Sequence, residues 1–454
     1  LMGVFNSVLG LAGMLAGMGL DTSGVRQIAE SAGEDDQERI TRTVTAFRWV
    51  ALSFGITGAA VFFSLRGPIA RFTFGDDQYQ QYVGQIGFLA VALLAFVIST
   101  AQSTLIRGMR RISDLAKVNV IGIAVGTILG LPVLYVWHMQ GIAAYLIFTA
   151  LLTLIVSWWY ARQISLPKVA VNPKQIWGDT KELVSMGFVF MISGLTTMLV
   201  TYLVKILVLR RLGLDAAGLY EASGAISNVY VGFVLGAMGA DYFPHLSAVA
   251  HDNTQSTHLM NAQIEIGLLL AAPGILLVLV LGPLLLQILY SAEFTPAFEI
   301  LRWQSLGTFW RVVSWPLAYL MLAKGKKALF FWTELATNLF YLAALVVGLE
   351  YMSLPGIGLA FMFMYLFHAA ITFLVARRLS DFTWSVSNLK RLGLIIPFVI
   401  LAFLCSYLPT LWAALLGITL SLGVGLYSLK SLYTLLGHET VLAYYQRIRA
   451  RLGF

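Results

Sequence analysis

The chain of 454 residues is 59% hydrophobic and 11% charged, with a formal net charge of +8 at pH 7. Soluble globular domains carry about 25% charged residues, so the composition excludes that class. Apolar runs of about 20 residues alternate with short charged segments, the pattern of an all-α polytopic membrane protein. The alternating segments of about ten residues that make a transmembrane β-barrel are missing. The one cysteine, Cys405, excludes an intramolecular disulfide.

Thirteen apolar segments are expected to span the bilayer, over 1–29, 43–65, 82–106, 116–136, 141–161, 183–209, 216–248, 259–290, 297–323, 328–348, 354–376, 391–408 and 411–436. The connections are short, and the longest polar stretch covers only about 162–182, so no soluble domain fits. Lys and Arg in short loops set orientation because they stay on the cytoplasmic side. One alternate set of loops, with the C-terminus, holds twenty: Arg39, Arg42, Arg107, Arg110, Arg111, Lys117, Arg162, Lys168, Lys174, Lys181, Lys324, Lys326, Lys327, Arg377, Arg378, Lys390, Arg391, Arg447, Arg449 and Arg451. The other set holds four, Arg66, Arg71, Arg210 and Arg211. The C-terminus is therefore expected in the cytoplasm, and the basic charge reflects topology rather than a nucleic-acid surface.

The chain repeats itself at an offset of about 215–220 residues. "AGMGLD" (16–21) answers "GAMGAD" (236–241), and "AGEDDQ" (32–37) answers "AHDNTQ" (250–255). "RGMRR" (107–111) answers "KGKK" (324–327), and the apolar run from 141 to 163 answers that from 356 to 378. Four pairs in one order argue for duplication. The second copy has six spans and the first five, so a helix equivalent to 183–209 is expected ahead of residue 1. Two six-helix lobes related by a pseudo-twofold along the membrane normal follow, as in two-lobed alternating-access transporters. The expected division is 1–165 (N-lobe), 166–182 (cytoplasmic linker), 183–380 (C-lobe) and 381–454 (terminal helix hairpin and basic cytoplasmic tail).

At "GMGLDTSGVRQIAE", "YEASGAISNVYVGFVLGAMGADYFPHLSAVA" and "FEILRWQSLGTFWRVVSWPLAYLMLAKGK" the chain resembles the bacterial polysaccharide flippases. Within the multidrug/oligosaccharidyl-lipid/polysaccharide exporter superfamily it is most similar to the O-antigen translocase group. The resemblance implies two lobes around a central cavity, no enzymatic chemistry, and location in the bacterial inner membrane. It also implies an undecaprenyl-pyrophosphate-linked oligosaccharide as cargo, moved from the cytoplasmic to the outer leaflet. A polysaccharide polymerase and chain-length machinery are its expected partners. The absent first helix and the extra terminal hairpin depart from the twelve-helix pattern.

An ionisable side chain at the centre of a span costs roughly 2.5–3.5 kcal/mol on insertion scales, so each one requires a reason. Arg311 lies midway along 297–323, where it either meets anionic substrate or ties two helices. Arg302 and Lys205 lie nearer the outer ends of their helices, where binding substrate and snorkelling to headgroups both fit. Arg48, a candidate substrate-binding residue, and Glu265, a candidate ion-coupling residue, occupy nearly equivalent places in the two copies, where a cytoplasmic gate pair or two solvated groups also fit. Arg26 is placed where a pyrophosphate entering from the cytoplasm meets a planar guanidinium, or where a cation simply anchors the helix. The repeat-equivalent Asp21 and Asp241 would bind a coupling Na+ or H+, or hold neighbouring helices. Glu221 and Glu334 are further intramembrane acids, so charge count alone does not prove an anionic substrate. His245, His251 and His258 match no metal spacing and read as interfacial.

Two other functions compete. A cation-coupled drug or metabolite exporter of the same superfamily would require an acid-dominated cavity. A membrane polymerase or glycosyltransferase would require a large extramembrane loop carrying catalytic residues.

Overall fold

The computed structural model describes residues 1–33, 37–109, 111–164, 173–408 and 410–436, all of them helical or in short connections. Asp35, residues 166–172 of the linker and the tail from 437 lie outside the described residues, as do the side chains of Arg26 and Asp241. The helices are α1 (Met2–Gly17), α2 (Leu20–Gly33), α3 (Gln37–Ser64), α4 (Arg66–Phe74), α5 (Tyr79–Gly108), α6 (Ile112–Trp137) and α7 (Gly141–Ala161). They continue as α8 (Pro173–Ala248), α9 (Asn253–Leu289), α10 (Phe298–Ala323), α11 (Lys327–Ser380), α12 (Val386–Cys405) and α13 (Thr410–Leu436). Among the described residues, seven helical runs are long and apolar enough to cross a membrane.

The expected span 1–29 is two helices. Met18 and Gly19 take left-handed φ values of 46° and 64°, and the Met18 N–H closes α1 on Met14 O at 3.0 Å. Glycine adopts that region at little cost, which is why the chain breaks at "MG". Beyond the break, α2 buries Ser23, Gln27 and Ile28. This is an amphipathic helix with a polar edge, not the end of an apolar rod. The short α4, between the second and third expected spans, was not anticipated either.

Two helical hairpins fall where pairs of spans are expected. In α11, Ser353 departs from the helix (φ 53°, ψ −123°) just before Pro355, whose ring cannot continue the preceding turn. The arms then run back along each other, with Phe340 stacked on Phe367 at 4.6 Å between centroids. At the turn Gly348 and Gly356 meet backbone to backbone; a Cβ on Gly356 would lie 2.0 Å from Gly348 O. In α6, Gly122, Gly126 and Gly130 face Thr153, Thr149 and Tyr145 of α7, the close packing that small residues allow between membrane helices. Gly356→Val is therefore expected to destabilise the protein by about 1–3 kcal/mol through overpacking, read as a lower unfolding temperature in detergent.

By packing, the chain divides into two compact units, Leu1–Ala217 and Gly218–Phe454. The sequence reading begins the second lobe at 183, whereas packing groups the stretch up to Ala217 with the first unit. The contacts responsible run along α8 before its break at Gly213 (φ 88°). A Cβ on Gly194 would lie 2.0 Å from Met14 Cε, Tyr202 shares a hydrogen bond with Thr73 (2.7 Å), and Lys205 Nζ donates to Gly3 O (3.2 Å).

The core of the second unit gathers Leu268, Leu276 and Leu279 of α9, Val312, Leu317 and Leu320 of α10, and Ile395 and Ala402 of α12. At the start of α9, Asp252 accepts hydrogen bonds from the backbone N–H groups of Thr254 (2.8 Å) and Gln255 (3.0 Å). The Gln255 bond, foremost, holds the Asp252 carboxyl below its ordinary value. A depressed carboxyl stabilises above its unfolded value, near 4, and that contribution disappears as pH falls through the folded value. Asn at this position still caps, so the unfolding temperatures of wild type and Asp252→Asn are expected to differ slightly at pH 7 and to converge below pH 4.

Candidate functional site

In the first unit, α3, α5 and α7 bound a cavity of about 640 Å³. Arg48 enters it from α3, Gln102 from α5, and Trp158 and Arg162 from the end of α7. Arg162 lies over the rings of Trp159 (3.9 Å) and Trp158 (4.8 Å), which fix the plane of its guanidinium. Gln102 Oε1 accepts from Ser157 Oγ at 2.6 Å, which orients the amide. No acid lines this cavity among the described residues, and neither arginine has an acidic partner there. Both arginines are exposed, so they are accessible to a ligand; two like charges at one site repel unless an anion joins them, and planar guanidinium groups take phosphate oxygens in pairs. Arg48 was identified from the sequence. Arg162 reads from the sequence as a cytoplasmic loop residue, because only the α3–α5–α7 packing places it on the same cavity as Arg48.

The other candidates of this unit lie apart from that cavity. Asp21 stands in the first turn of α2, where the helix dipole favours a negative charge, and lines a cavity of about 160 Å³ with Phe47, Phe96 and Met198. Arg26 lies on the same helix at backbone level. A separate groove of about 610 Å³, lined by Leu11, Leu15, Phe54, Val61, Phe72 and their neighbours, is almost wholly apolar.

In the second unit, Arg311 sits mid-way along α10 and donates from Nη1 to Asn228 Oδ1 at 2.8 Å. Its guanidinium carbon lies 5.6 Å from the Tyr365 ring centre, and its buried Nε meets no protein acceptor among the described residues. Asn228 is exposed, so this end of the arginine is open to a ligand. Arg302 differs. It is 5% exposed, pairs with Glu299 at 2.5 Å, and lies between the rings of Phe298 (5.0 Å) and Tyr407 (4.1 Å). Glu299 meets its charge within the protein, although its buried Nε and Nη1, like Nε of Arg311, find no acceptor among the described residues.

Glu265 is also engaged inside its own unit. It forms a buried ion pair with Arg391 of α12, with Nε at 2.7 Å from Oε1, and accepts from Ser387 Oγ at 2.9 Å. The acid read as a counterpart to Arg48 is thus taken by the terminal hairpin. Sequence reading missed His368, which is 4% exposed and lies between Ser314 (2.8 Å) and Glu334 (3.2 Å). A lone histidine in an apolar run carries no periodic signal, and its partners lie 54 and 34 residues away. Among the described residues no group of three or more His, Cys, Asp or Glu is arranged to hold a metal.

Helical hairpins, basic groups set within apolar helices, and two compact units together define an all-α polytopic membrane fold. A multidrug-resistance MATE transporter of the MOP superfamily in its inward-facing conformation superposes with a TM-score of 0.71 at 15% identity, covering 84% of this chain and 90% of that one. The lipid II flippase MurJ, inward closed, superposes with a TM-score of 0.57 at 13% identity, covering 96% and 97%. In sequence, the lipid III flippase of Escherichia coli (strain K12) is 22% identical over 339 residues, 73% of this chain and 79% of its own length. Residues 1–299 match the model of the polysaccharide biosynthesis protein family, and the chain belongs to that family.

Proposed function

We propose that this protein is a flippase. It carries an oligosaccharide linked to undecaprenyl pyrophosphate, an O-antigen or exopolysaccharide repeat unit, from the cytoplasmic to the outer leaflet of the bacterial inner membrane. The observation that carries this reading is the cavity bounded by Arg48 and Arg162, with no acid in its lining among the described residues, where a pyrophosphate supplies the opposing negative charge. The lipid III flippase relative and the membership in a polysaccharide biosynthesis family support the choice of cargo. Transport proceeds by alternating access and involves no covalent chemistry. The headgroup drives the switch only to the extent that it binds the two states differently. A Na+ or H+ gradient supplies direction, a polymerase and chain-length machinery receive the product, and the C-terminus faces the cytoplasm.

The test is reconstitution of the full protein in vesicles with fluorescently labelled undecaprenyl-pyrophosphate oligosaccharide, following exposure of the label to an external quencher. A charge-assisted hydrogen bond contributes about 1.5–3 kcal/mol, so Arg48→Gln with Arg162→Gln should slow exposure by about 10- to 100-fold. An unchanged rate in the double variant removes the cavity from the pathway. No exposure by wild type, together with efflux of cationic drugs, assigns the protein to the exporters instead.

A further inference from the structure

We propose that His368 and Glu334 form a one-proton site linked to the binding of an anionic headgroup at Arg311. The inference rests on the flippase reading for the identity of the anion, but not for the existence of the proton site. The site is distinct from the candidate ion-coupling acids Asp21, Asp241 and Glu265, because a proton that tightens the cargo is not one whose inward flow drives the cargo outward.

The geometry around His368 accommodates both protonation states without moving a heavy atom. His368 Nδ1 lies 2.8 Å from Ser314 Oγ, and Nε2 lies 3.2 Å from Glu334 Oε1. Ser314 Oγ also lies 3.2 Å from the backbone carbonyl of Arg311. In the state without the extra proton, Ser314 turns its hydroxyl toward Nδ1, and Nε2–H donates to the Glu334 carboxylate. In the state with it, both ring nitrogens carry hydrogen: Nδ1–H donates to Ser314, whose own hydroxyl now donates to the Arg311 carbonyl, while Nε2–H remains on Glu334. Every donor has an acceptor in each state, and one hydroxyl rotor makes the difference. A histidine held only for packing needs one tautomer, not a swivel.

The site's surroundings set the sign of the linkage. Arg311 lies on α10 one helical turn before Ser314, and its charge opposes a second positive charge nearby. It reaches the histidine through Tyr365, whose ring lies 6.2 Å from the imidazole. The acid in direct contact with the imidazole is Glu334, on the first arm of α11. An anion arriving at Arg311 cancels the opposing charge, so it draws a proton onto the His368–Glu334 pair. By reciprocity, the proton tightens the anion.

Two measurements on the full chain in lipid nanodiscs test this. The first is the affinity for farnesyl pyrophosphate, a short polyprenyl pyrophosphate, between pH 5.5 and 9. Wild type should lose affinity with rising pH by up to about tenfold per unit more steeply than His368→Gln or Glu334→Gln, because one proton is linked. The probe's own titration is common to all three and cancels in the comparison. Equal slopes overturn the linkage. The second is pH-difference infrared spectroscopy without ligand. Imidazole bands lost in His368→Gln should titrate together with carboxylate bands lost in Glu334→Gln. If those bands do not change between pH 4 and 9, the pair is a fixed hydrogen bond and the proton site is overturned. Failure of wild type to bind the probe overturns the anion reading at Arg311, and the infrared result then decides the proton site alone. Wild-type-like unfolding temperatures establish that the variants are folded, and Ser314→Ala, which removes only the rotor, should reproduce the loss of slope.

Discussion

Glu265→Ala is expected to destabilise the second unit by about 3–5 kcal/mol, because it leaves Arg391 buried and uncompensated. Both side chains are nearly enclosed, at 10% and 12% exposure. The pair also stands beside a polar seam between α9 and α12 in which the Asn388 side-chain amide donates to Asn261 O and Oδ1, each at 2.9 Å. Removing both charges is a different experiment. Glu265→Met with Arg391→Met replaces a desolvated pair by apolar groups and should restore most of the lost stability, measured as unfolding temperature in detergent. The same double variant separates structure from coupling. If Glu265 only fastens the hairpin α12–α13 to α9, the double variant translocates lipid-linked oligosaccharide at nearly the wild-type rate. Stable protein with transport abolished would return Glu265 to the coupling machinery.

Residues of this kind mark the limit of what a sequence discloses. The helical membrane class and most spans were legible, because a bilayer forces apolar runs of fixed length whatever surrounds them. The break after α1 was visible only as a glycine-rich tract; the left-handed pair Met18–Gly19 depends on backbone angles that composition does not encode. Ser353 is harder still, since a non-glycine residue at φ 53° is held there by the hairpin it permits. Candidate charges were legible as exceptions to an apolar pattern, but their partners were not. Glu265 meets Arg391 across 126 residues, and Arg48 shares a cavity with Arg162 because α3, α5 and α7 converge. The repeat offset suggested Arg48 and Glu265 as counterparts, yet equivalence by duplication records ancestry rather than contact. His368 escaped notice because a neutral histidine barely disturbs hydropathy.

Arg311→Gln is expected to slow translocation by about 100-fold while leaving the fold intact, and Arg311→Lys is expected to recover only part of the rate. The guanidinium is committed on one arm to Asn228, at 2.8 Å, and on its face to Tyr365, leaving the other donors for an anion. Lysine keeps the charge but is a single point donor. It cannot hold the asparagine, lie over the ring and present a paired contact to phosphate at once. The loss for glutamine corresponds to about 2.7 kcal/mol, within the range of a charge-assisted contact in a water-poor site. The alternative, that Arg311 merely ties α10 to α8, makes a different forecast. A helix tie is broken equally from either side, so Asn228→Ala would then match Arg311→Gln in both stability and rate. With a ligand-binding arginine, Asn228→Ala costs orientation alone and should slow exposure of the labelled lipid by no more than about tenfold. The two substitutions, measured side by side in the same vesicles, decide between a tie and a binding site.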